Sequence, residues 1–315
     1  MGQARSWACA LLAAMVVPTA PAAGTEAPQR IAWIPSPDRF GSHYVMVAVG
    51  GGREVPVLFD TGSVGLRIDA TAVGPEVTRL GTPVHEAFEG GDVYDGQLAT
   101  AKVTVGGVAA TVPVSIQLIE QVSCLPAKPQ CRMRGGLAAS VRETGAYGTL
   151  GAGMGVKGPL MSPLAALPGN WGRAFVVSRD ALWLGPTDVR AFRVQKFTQS
   201  GKLPTGEPAW SRTFRTCFTL ETRPPASACA DTIFDTGFGN VGLPKGMPAS
   251  PPAGAPLHVV VDGAIDWRVT VGSRPSIDRV STLAGPHASL GRPLLGAYDV
   301  LFDRAEGAIG FRRRY

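Results

Sequence analysis

Two copies of one short motif carry the residues of this chain that could do acid–base chemistry. Asp60 begins Asp-Thr-Gly at 60–62, and Asp235 begins the same tripeptide at 235–237. Each copy follows an apolar run that ends in phenylalanine, in VPVLFDTGSVGL and in ADTIFDTGFGNVGL. A glycine turn at the end of a strand projects the aspartate away from the sheet. Two such units that face each other would bring two carboxylates within a few ångströms.

Two carboxylates at that separation cannot both ionise, so the pair shares one proton. The ionised member can take a proton from a water molecule between them, while the protonated member donates to a substrate carbonyl. The chemistry that this predicts is hydrolysis of an amide bond without a covalent intermediate. The neighbouring Thr61 and Thr236 can cross-bond the two turns and keep the geometry rigid. A purely structural role, in which both aspartates only cap turns, is the alternative.

The elements that must position this pair are predicted to be β-strands. Glycine and proline number 40 and 27, spread without a period, which favours many short strands over a helical bundle. Strands are predicted at 43–49, 55–59, 100–105, 112–118, 174–177, 257–261 and 267–271. The one helix predicted covers 160–167, between Gly-Pro and Pro-Gly.

A second pair of similar segments indicates an internal repeat. YGTLG at 147–151 follows the first Asp-Thr-Gly at a distance, and ASLG at 288–291 follows the second. We therefore expect a twofold repeat, with an N-terminal lobe at 41–185 and a C-terminal lobe at 186–315.

Charge and metal-ligand spacing argue against other classes of function. The net charge is +6, but apart from a terminal run of three arginines the basic residues are scattered, so no nucleic-acid partner is expected. None of the histidines forms a close metal-binding pair, and we expect neither a metal nor another cofactor. These histidines are His43, His85, His258 and His287.

The start of the chain resembles an export signal. Arg5 precedes an apolar run at 7–17, and small residues follow, so we expect a signal peptide at 1–23 and a flexible leader at 24–40. The protein would then be periplasmic or secreted. An uncleaved membrane anchor is the alternative.

The cysteines agree with export. Four remain after signal cleavage, which allows three disulfide connectivities. The sequence-local choice pairs Cys124 with Cys131 and Cys217 with Cys229. A four-cysteine zinc site is the competing reading, but these spacings lack the usual close pairs.

Three segments resemble the pepsin-like (eukaryotic-type, bilobal) aspartic endopeptidases, and together with the paired motifs they span nearly the whole mature chain. They lie at 44–68, 88–105 and 289–311. The resemblance implies an all-β, bilobal, monomeric and here bacterial enzyme, with Asp60 and Asp235 as the catalytic pair. It implies an unfolded protein or extended peptide as substrate, of which the cleft binds about six to eight residues in an extended strand. Residues implied to support the pair are Thr61, Gly62, Ser63, Thr236 and Gly237. Residues implied for a flap hairpin over the cleft are Phe88, Gly90, Gly91 and Tyr94.

The chain departs from this family at informative positions. Ser63 matches a hydroxyl residue that hydrogen-bonds its aspartate, but Phe238 occupies the equivalent place after Asp235. Losing that donor should raise the pKa of Asp235, which predicts a less acid optimum than a pepsin's, or no activity. Arg67 stands where the family often has a tryptophan that supports the flap. An inactive bilobal scaffold that binds peptides or proteins is therefore the alternative function.

Overall fold

The computed structural model describes residues 26–35, 41–186, 188–273, 280–283 and 285–315. The signal peptide predicted over 1–23 lies outside these residues and stays a prediction. In the described part of the chain, no helix has the length and apolar character needed to cross a membrane.

Short strands make up most of the described chain. The first fourteen are β1 Gln29–Ala32, β2 Tyr44–Val49, β3 Val55–Asp60, β4 Val64–Asp69, β5 Thr78–Ala87, β6 Asp92–Ala101, β7 Val103–Val105, β8 Val108–Ala109, β9 Val114–Cys124, β10 Gly148–Ala152, β11 Val156–Lys157, β12 Leu160–Met161, β13 Ala174–Val177 and β14 Ala181–Leu184. The others are β15 Arg193–Lys196, β16 Gln199–Lys202, β17 Pro208–Trp210, β18 Phe214–Leu220, β19 Ala226–Phe234, β20 Val241–Leu243, β21 Pro256–Val261, β22 Ile265–Thr270, β23 Val280–Thr282, β24 Ala288–Leu290, β25 Tyr298–Asp303 and β26 Ala308–Arg313.

Helical structure is scarce. The described residues contain α1 Leu137–Thr144, α2 Gly169–Arg173 and three 3-10 turns, Pro163–Ala166, Val189–Ala191 and Arg292–Gly296. The helix predicted over 160–167 is wrong as one element. Its first two residues form β12, and Pro163 starts only a single turn before Pro168 ends it. The sequence prediction did not include α1.

Each Asp-Thr-Gly turn follows an interior strand of its own large sheet. The first sheet runs β5-β6-β9-β4-β10-β3-β2-β7-β8, and the second runs β22-β21-β18-β19-β24-β20-β23. In the first, β3 pairs in parallel with β10, which pairs antiparallel with β4. In the second, β19 pairs in parallel with β24, which pairs antiparallel with β20. The repeated arrangement confirms the expected all-β, bilobal fold.

A six-stranded sheet joins residues from both halves of the chain, in the order β1-β14-β13-β25-β26-β15. Its strands come from both sides of the predicted lobe boundary between 185 and 186. The position of that boundary stays a prediction. The flexible leader predicted over 24–40 is wrong at 29–32, where β1 pairs with β14 along its whole length. Ile31 lies in the core, and its burial together with the backbone pairing fixes this segment.

Both predicted disulfides are present. Cys124, at the end of β9, is bonded to Cys131, and Cys217 and Cys229 lie directly opposite each other on β18 and β19. Two disulfides are compatible with an exported protein.

Candidate active site

Asp60 ends β3 with its side chain almost completely buried. Its carboxylate accepts a hydrogen bond from the Gly62 N–H at 2.8 Å and one from the Ser63 hydroxyl at 2.5 Å. Ser63 therefore occupies the position expected from the sequence. These two donors hold the Asp60 carboxylate in one orientation at the start of the turn.

Asp235 follows β19 in the matching turn, but its surroundings differ. Phe238 stands where the first turn has a serine, and it brings no side-chain donor. The pKa of Asp235 is raised well above its usual value, first by burial, then by the Asp60 charge and by a hydrogen bond with Asp60. The Gly237 backbone and the Arg292 charge act in the opposite direction and are outweighed. The two aspartates thus have different surroundings, and the raised pKa of Asp235 favours its protonated form.

Two glycines allow the aspartates to face each other. A Cβ on Gly62 would lie 2.6 Å from both carboxylate oxygens of Asp235. A Cβ on Gly237 would lie 2.8 Å from Asp60 Oδ1 and 3.1 Å from Asp235 Oδ1. A side chain at either glycine would occupy the space that the pair needs, so each turn requires a glycine at this place.

Thr61 and Thr236 cross-link the two turns with four hydrogen bonds. The Thr61 hydroxyl donates to the Phe234 carbonyl at 2.8 Å and accepts from the Thr236 N–H at 3.0 Å. The Thr236 hydroxyl donates to the Phe59 carbonyl at 2.7 Å and accepts from the Thr61 N–H at 3.1 Å. Because both threonines are buried, these bonds fix the relative position of the two turns away from solvent competition.

The phenylalanine before each aspartate also links the two halves. Phe59 contacts Phe175 edge-to-face, Phe175 stacks on Phe302 with ring centres 4.8 Å apart, and Phe302 contacts Phe234. The repeated Phe-Asp-Thr-Gly context is therefore explained by packing against the six-stranded sheet, which supplies the two middle rings.

A cavity of about 530 Å³ is lined by both aspartates and by the hairpin of β5 and β6, called here the flap hairpin. Of the predicted flap residues, Phe88, Gly90 and Tyr94 line this cavity. The hairpin thus lies beside the aspartate pair, as the resemblance implied.

The loop at 124–131, called here the disulfide loop, holds the tip of the flap hairpin. The Leu125 N–H donates to the Gly91 carbonyl at 2.8 Å, and the Lys128 ammonium donates to the Glu89 carbonyl. A Cβ on Gly91 would lie 2.6 Å from Lys128 Cβ, so Gly91 packs against this loop and is not among the residues that line the cavity. Gly91 therefore lies in the flap hairpin, as predicted from the resemblance, with its open side toward the disulfide loop.

Two further interactions fix the flap hairpin. Arg132 donates from Nε and Nη2 to one carboxylate oxygen of the buried Asp92, at 3.1 and 3.0 Å. Tyr94 is buried, which raises its pKa, and its hydroxyl hydrogen-bonds Thr149 on β10. Its ring contacts Phe88 with centres 5.0 Å apart. Tyr94 therefore anchors the hairpin to the body of the sheet.

Arg67 joins the first aspartate turn to the flap hairpin. Its side chain is 0% exposed and pairs with Glu86 of β5 at 2.9 Å. The same guanidinium donates to the Val64 carbonyl at 2.8 Å and lies 5.5 Å from the centre of the Phe88 ring. Lys157 also pairs with Glu86. A charged network thus supports the flap hairpin at Arg67.

Replacing Arg67 by methionine should lower the free energy of unfolding by about 3 kcal/mol, because Glu86 would lose its buried partner. The double variant Arg67→Met/Glu86→Met should recover more than half of that loss, since no buried charge then remains uncompensated on the strand. Urea unfolding measures both. Arg79→Met, which breaks the exposed pair with Glu120, is the control and should cost less than 1 kcal/mol. Equal losses for Arg67→Met and Arg79→Met would contradict the assignment.

Sequence reasoning missed Arg292. This residue follows Leu290 and Gly291, the end of the segment ASLG that was matched with YGTLG in the first half. It lines the same cavity as Asp235. One signal could have indicated Arg292. It is a basic residue that comes just after β24, the strand that pairs with β19. Among the described residues, no three His, Cys, Asp or Glu side chains are grouped as metal ligands would be.

Comparison with known proteins agrees with this geometry over the first half. A family model described as the PE-PGRS C-terminal aspartyl peptidase-like domain matches residues 37–191, just under half of the chain. The matched region contains Asp60, Ser63 and the flap hairpin, and it ends before Asp235. The match relates the chain to aspartyl peptidase-like domains. A search of curated proteins finds no match.

Proposed function

We propose that this protein is an aspartic endopeptidase of the bilobal, pepsin-like kind, with Asp60 and Asp235 as its catalytic pair. The observation that carries the proposal is the buried cross-link between the two turns, which places two unequal carboxyl groups against each other in one cavity. The match to an aspartyl peptidase-like domain supports it.

In the proposed reaction, the Asp60 carboxylate takes a proton from water as the water oxygen bonds to the substrate carbonyl carbon. Asp235 gives its proton to the carbonyl oxygen, which yields a tetrahedral diol. The diol then returns a proton to Asp235 as the C–N bond breaks, and the proton held on Asp60 passes to the leaving amine. The pair finishes in its starting state, with one proton on Asp235. The threonine cross-link keeps both carboxyl groups in place throughout.

The proposed substrate is an extended peptide or an unfolded protein that lies between the two lobes against the flap hairpin. We propose that the enzyme acts as a monomer outside the cytoplasm, in the periplasm or after secretion. The two disulfides support such a compartment.

One observation favours the second candidate function, a bilobal scaffold that binds peptides or proteins without cleaving them. Phe238 lines the cavity at the position where a hydroxyl would support Asp235. A bulky apolar ring there reduces the space and polarity available to a water molecule.

The test is cleavage of an unfolded protein mixture between pH 3 and pH 7, with and without pepstatin. We expect pepstatin-sensitive cleavage that Asp60→Asn and Asp235→Asn each reduce by at least a thousandfold. Asp231→Asn, an exposed aspartate on β19, is the matched control and should keep wild-type activity. No cleavage by correctly disulfide-bonded wild-type protein at any pH would support the scaffold instead.

A measurement of stability tests the pair without substrate. Because the pKa of Asp235 is raised in the folded chain, the folded chain keeps a proton that the unfolded chain releases above about pH 4. This contribution to stability is complete below about pH 4 and is lost as the pH rises through the raised pKa. Asp235→Asn should therefore lose less unfolding free energy between pH 4 and pH 7 than the wild type, while Asp231→Asn should follow the wild type.

A further inference from the structure

Arg292 contacts the second aspartate turn through both its side chain and its backbone. Its Nη1 donates to the Thr236 carbonyl at 2.5 Å, and its backbone N–H donates to the Phe238 carbonyl at 3.0 Å. A Cβ on Gly239 would lie 2.8 Å from Arg292 Nη2, so the guanidinium packs closely along this turn. One residue thus contacts the turn on both sides of Gly237.

The two turns differ in how their aspartates are supported. In the first, the Ser63 hydroxyl donates directly to Asp60. In the second, Phe238 offers no donor, and Arg292 is the cation that lies along the turn and lines the same cavity as Asp235. A positive charge beside this turn favours the ionised form of Asp235, the form that a hydroxyl donor in place of Phe238 would also favour.

We propose that Arg292 is the positioning residue of Asp235: its guanidinium fixes the second turn and supplies the positive charge that offsets the missing hydroxyl. This inference rests on the proposed function, in which Asp235 must give up a proton and regain it. The direction in which the Arg292 charge moves the pKa of Asp235, downward, agrees with it.

Other charged groups share this cavity or its wall and must be considered in any pH profile. Burial and, after it, the Arg292 charge lower the pKa of His43 to about 3, so this imidazole is neutral between about pH 4 and pH 7. The remaining groups that line the cavity are Asp60, Glu89, Asp92, Tyr94, Lys128 and Arg132. Arg132 is paired with Asp92, and neither substitution below replaces any of these side chains. Arg292→Gln also removes the charge that lowers the pKa of His43, whereas Arg292→Lys keeps it.

The test compares two substitutions. Arg292→Gln retains a hydrogen-bond donor but removes the charge, and Arg292→Lys retains the charge but removes the planar guanidinium. In Arg292→Gln, the basic limb of the pH–rate profile should move upward by about half to one pH unit. In Arg292→Lys that limb should stay in place, while kcat falls by about threefold to tenfold because the turn is held less firmly. Arg215→Met removes an exposed cation from β18 and should leave the profile unchanged.

Unfolding free energies at the same pH values separate this inference from the proposed function. Arg292→Gln should lose more stability between pH 4 and pH 7 than the wild type, because Asp235 then titrates still higher. If the wild type cleaves nothing but this steeper loss is seen, the proposed function fails and the role of the Arg292 charge stands. An unchanged pH dependence of stability in Arg292→Gln, or an equal shift of the basic limb in Arg292→Lys, would overturn the inference.

Discussion

Replacing Gly62 by alanine is expected to lower kcat/KM by at least a hundredfold. The new methyl carbon would lie 2.6 Å from both carboxylate oxygens of Asp235, which is closer than non-bonded atoms allow. The two aspartates would have to separate, and a displacement of about 1 Å at reacting groups costs about a hundredfold in rate. Steady-state cleavage of a peptide substrate measures the effect.

Gly296→Ala is the matched control for this substitution. A Cβ at Gly296 meets nothing within 4 Å, and the residue lies at the exposed end of a 3-10 turn. Its activity should equal that of the wild type. Wild-type activity in Gly62→Ala would show that the two carboxyl groups do not face each other across this glycine.

Replacing Thr61 by valine should lower the free energy of unfolding by about 2 to 4 kcal/mol. Valine has nearly the same shape but removes the hydroxyl, so the buried Phe234 carbonyl loses its donor and the Thr236 N–H loses its acceptor. Activity should fall as well, because the two turns would no longer be held in one position. Urea unfolding and peptide cleavage measure the two effects.

Thr219→Val removes a hydroxyl that only accepts a bond from Ser227 on the exposed hairpin, and it should cost less than 1 kcal/mol. Thr236→Val should behave like Thr61→Val, since the four bonds are reciprocal. The double variant should lose less than the sum of the two, because the two hydroxyls belong to one network. Additive losses would mean that the two threonines act independently.

The parts of the fold that could be predicted from the sequence are those with local signals. The repeated Phe-Asp-Thr-Gly predicted two strand ends that face each other, and the cysteine spacing predicted both disulfides. The strand predicted at 257–261 is β21, where buried residues come at every second position, as is typical of a half-buried strand. These signals depend on neighbours in the chain, and the structure confirms the elements that they predicted.

The remainder depends on contacts between distant segments. β1 reads as a flexible leader because only Ile31 is apolar and buried, and its pairing partner lies about 150 residues away. Helix α1 has only Ser140 and Thr144 buried, so no apolar period marks it. The Arg67–Glu86 pair and the Arg292 contact with Thr236 join segments that are far apart in sequence. The sequence could indicate the place of Arg292 after the repeated Leu-Gly, but it contains no local pattern that identifies the partner of either arginine.

The contact between the flap hairpin and the disulfide loop has a consequence for the mobility of the hairpin. β6 is paired with β9 along its whole length, and the tip is bonded to a ring that a disulfide closes. The amides of the tip should therefore exchange with solvent as slowly as those of a sheet, whereas an isolated two-stranded hairpin is only marginally stable. Reduction of the Cys124–Cys131 bond should therefore speed exchange only at the tip, because the pairing of β6 with β9 does not depend on that bond.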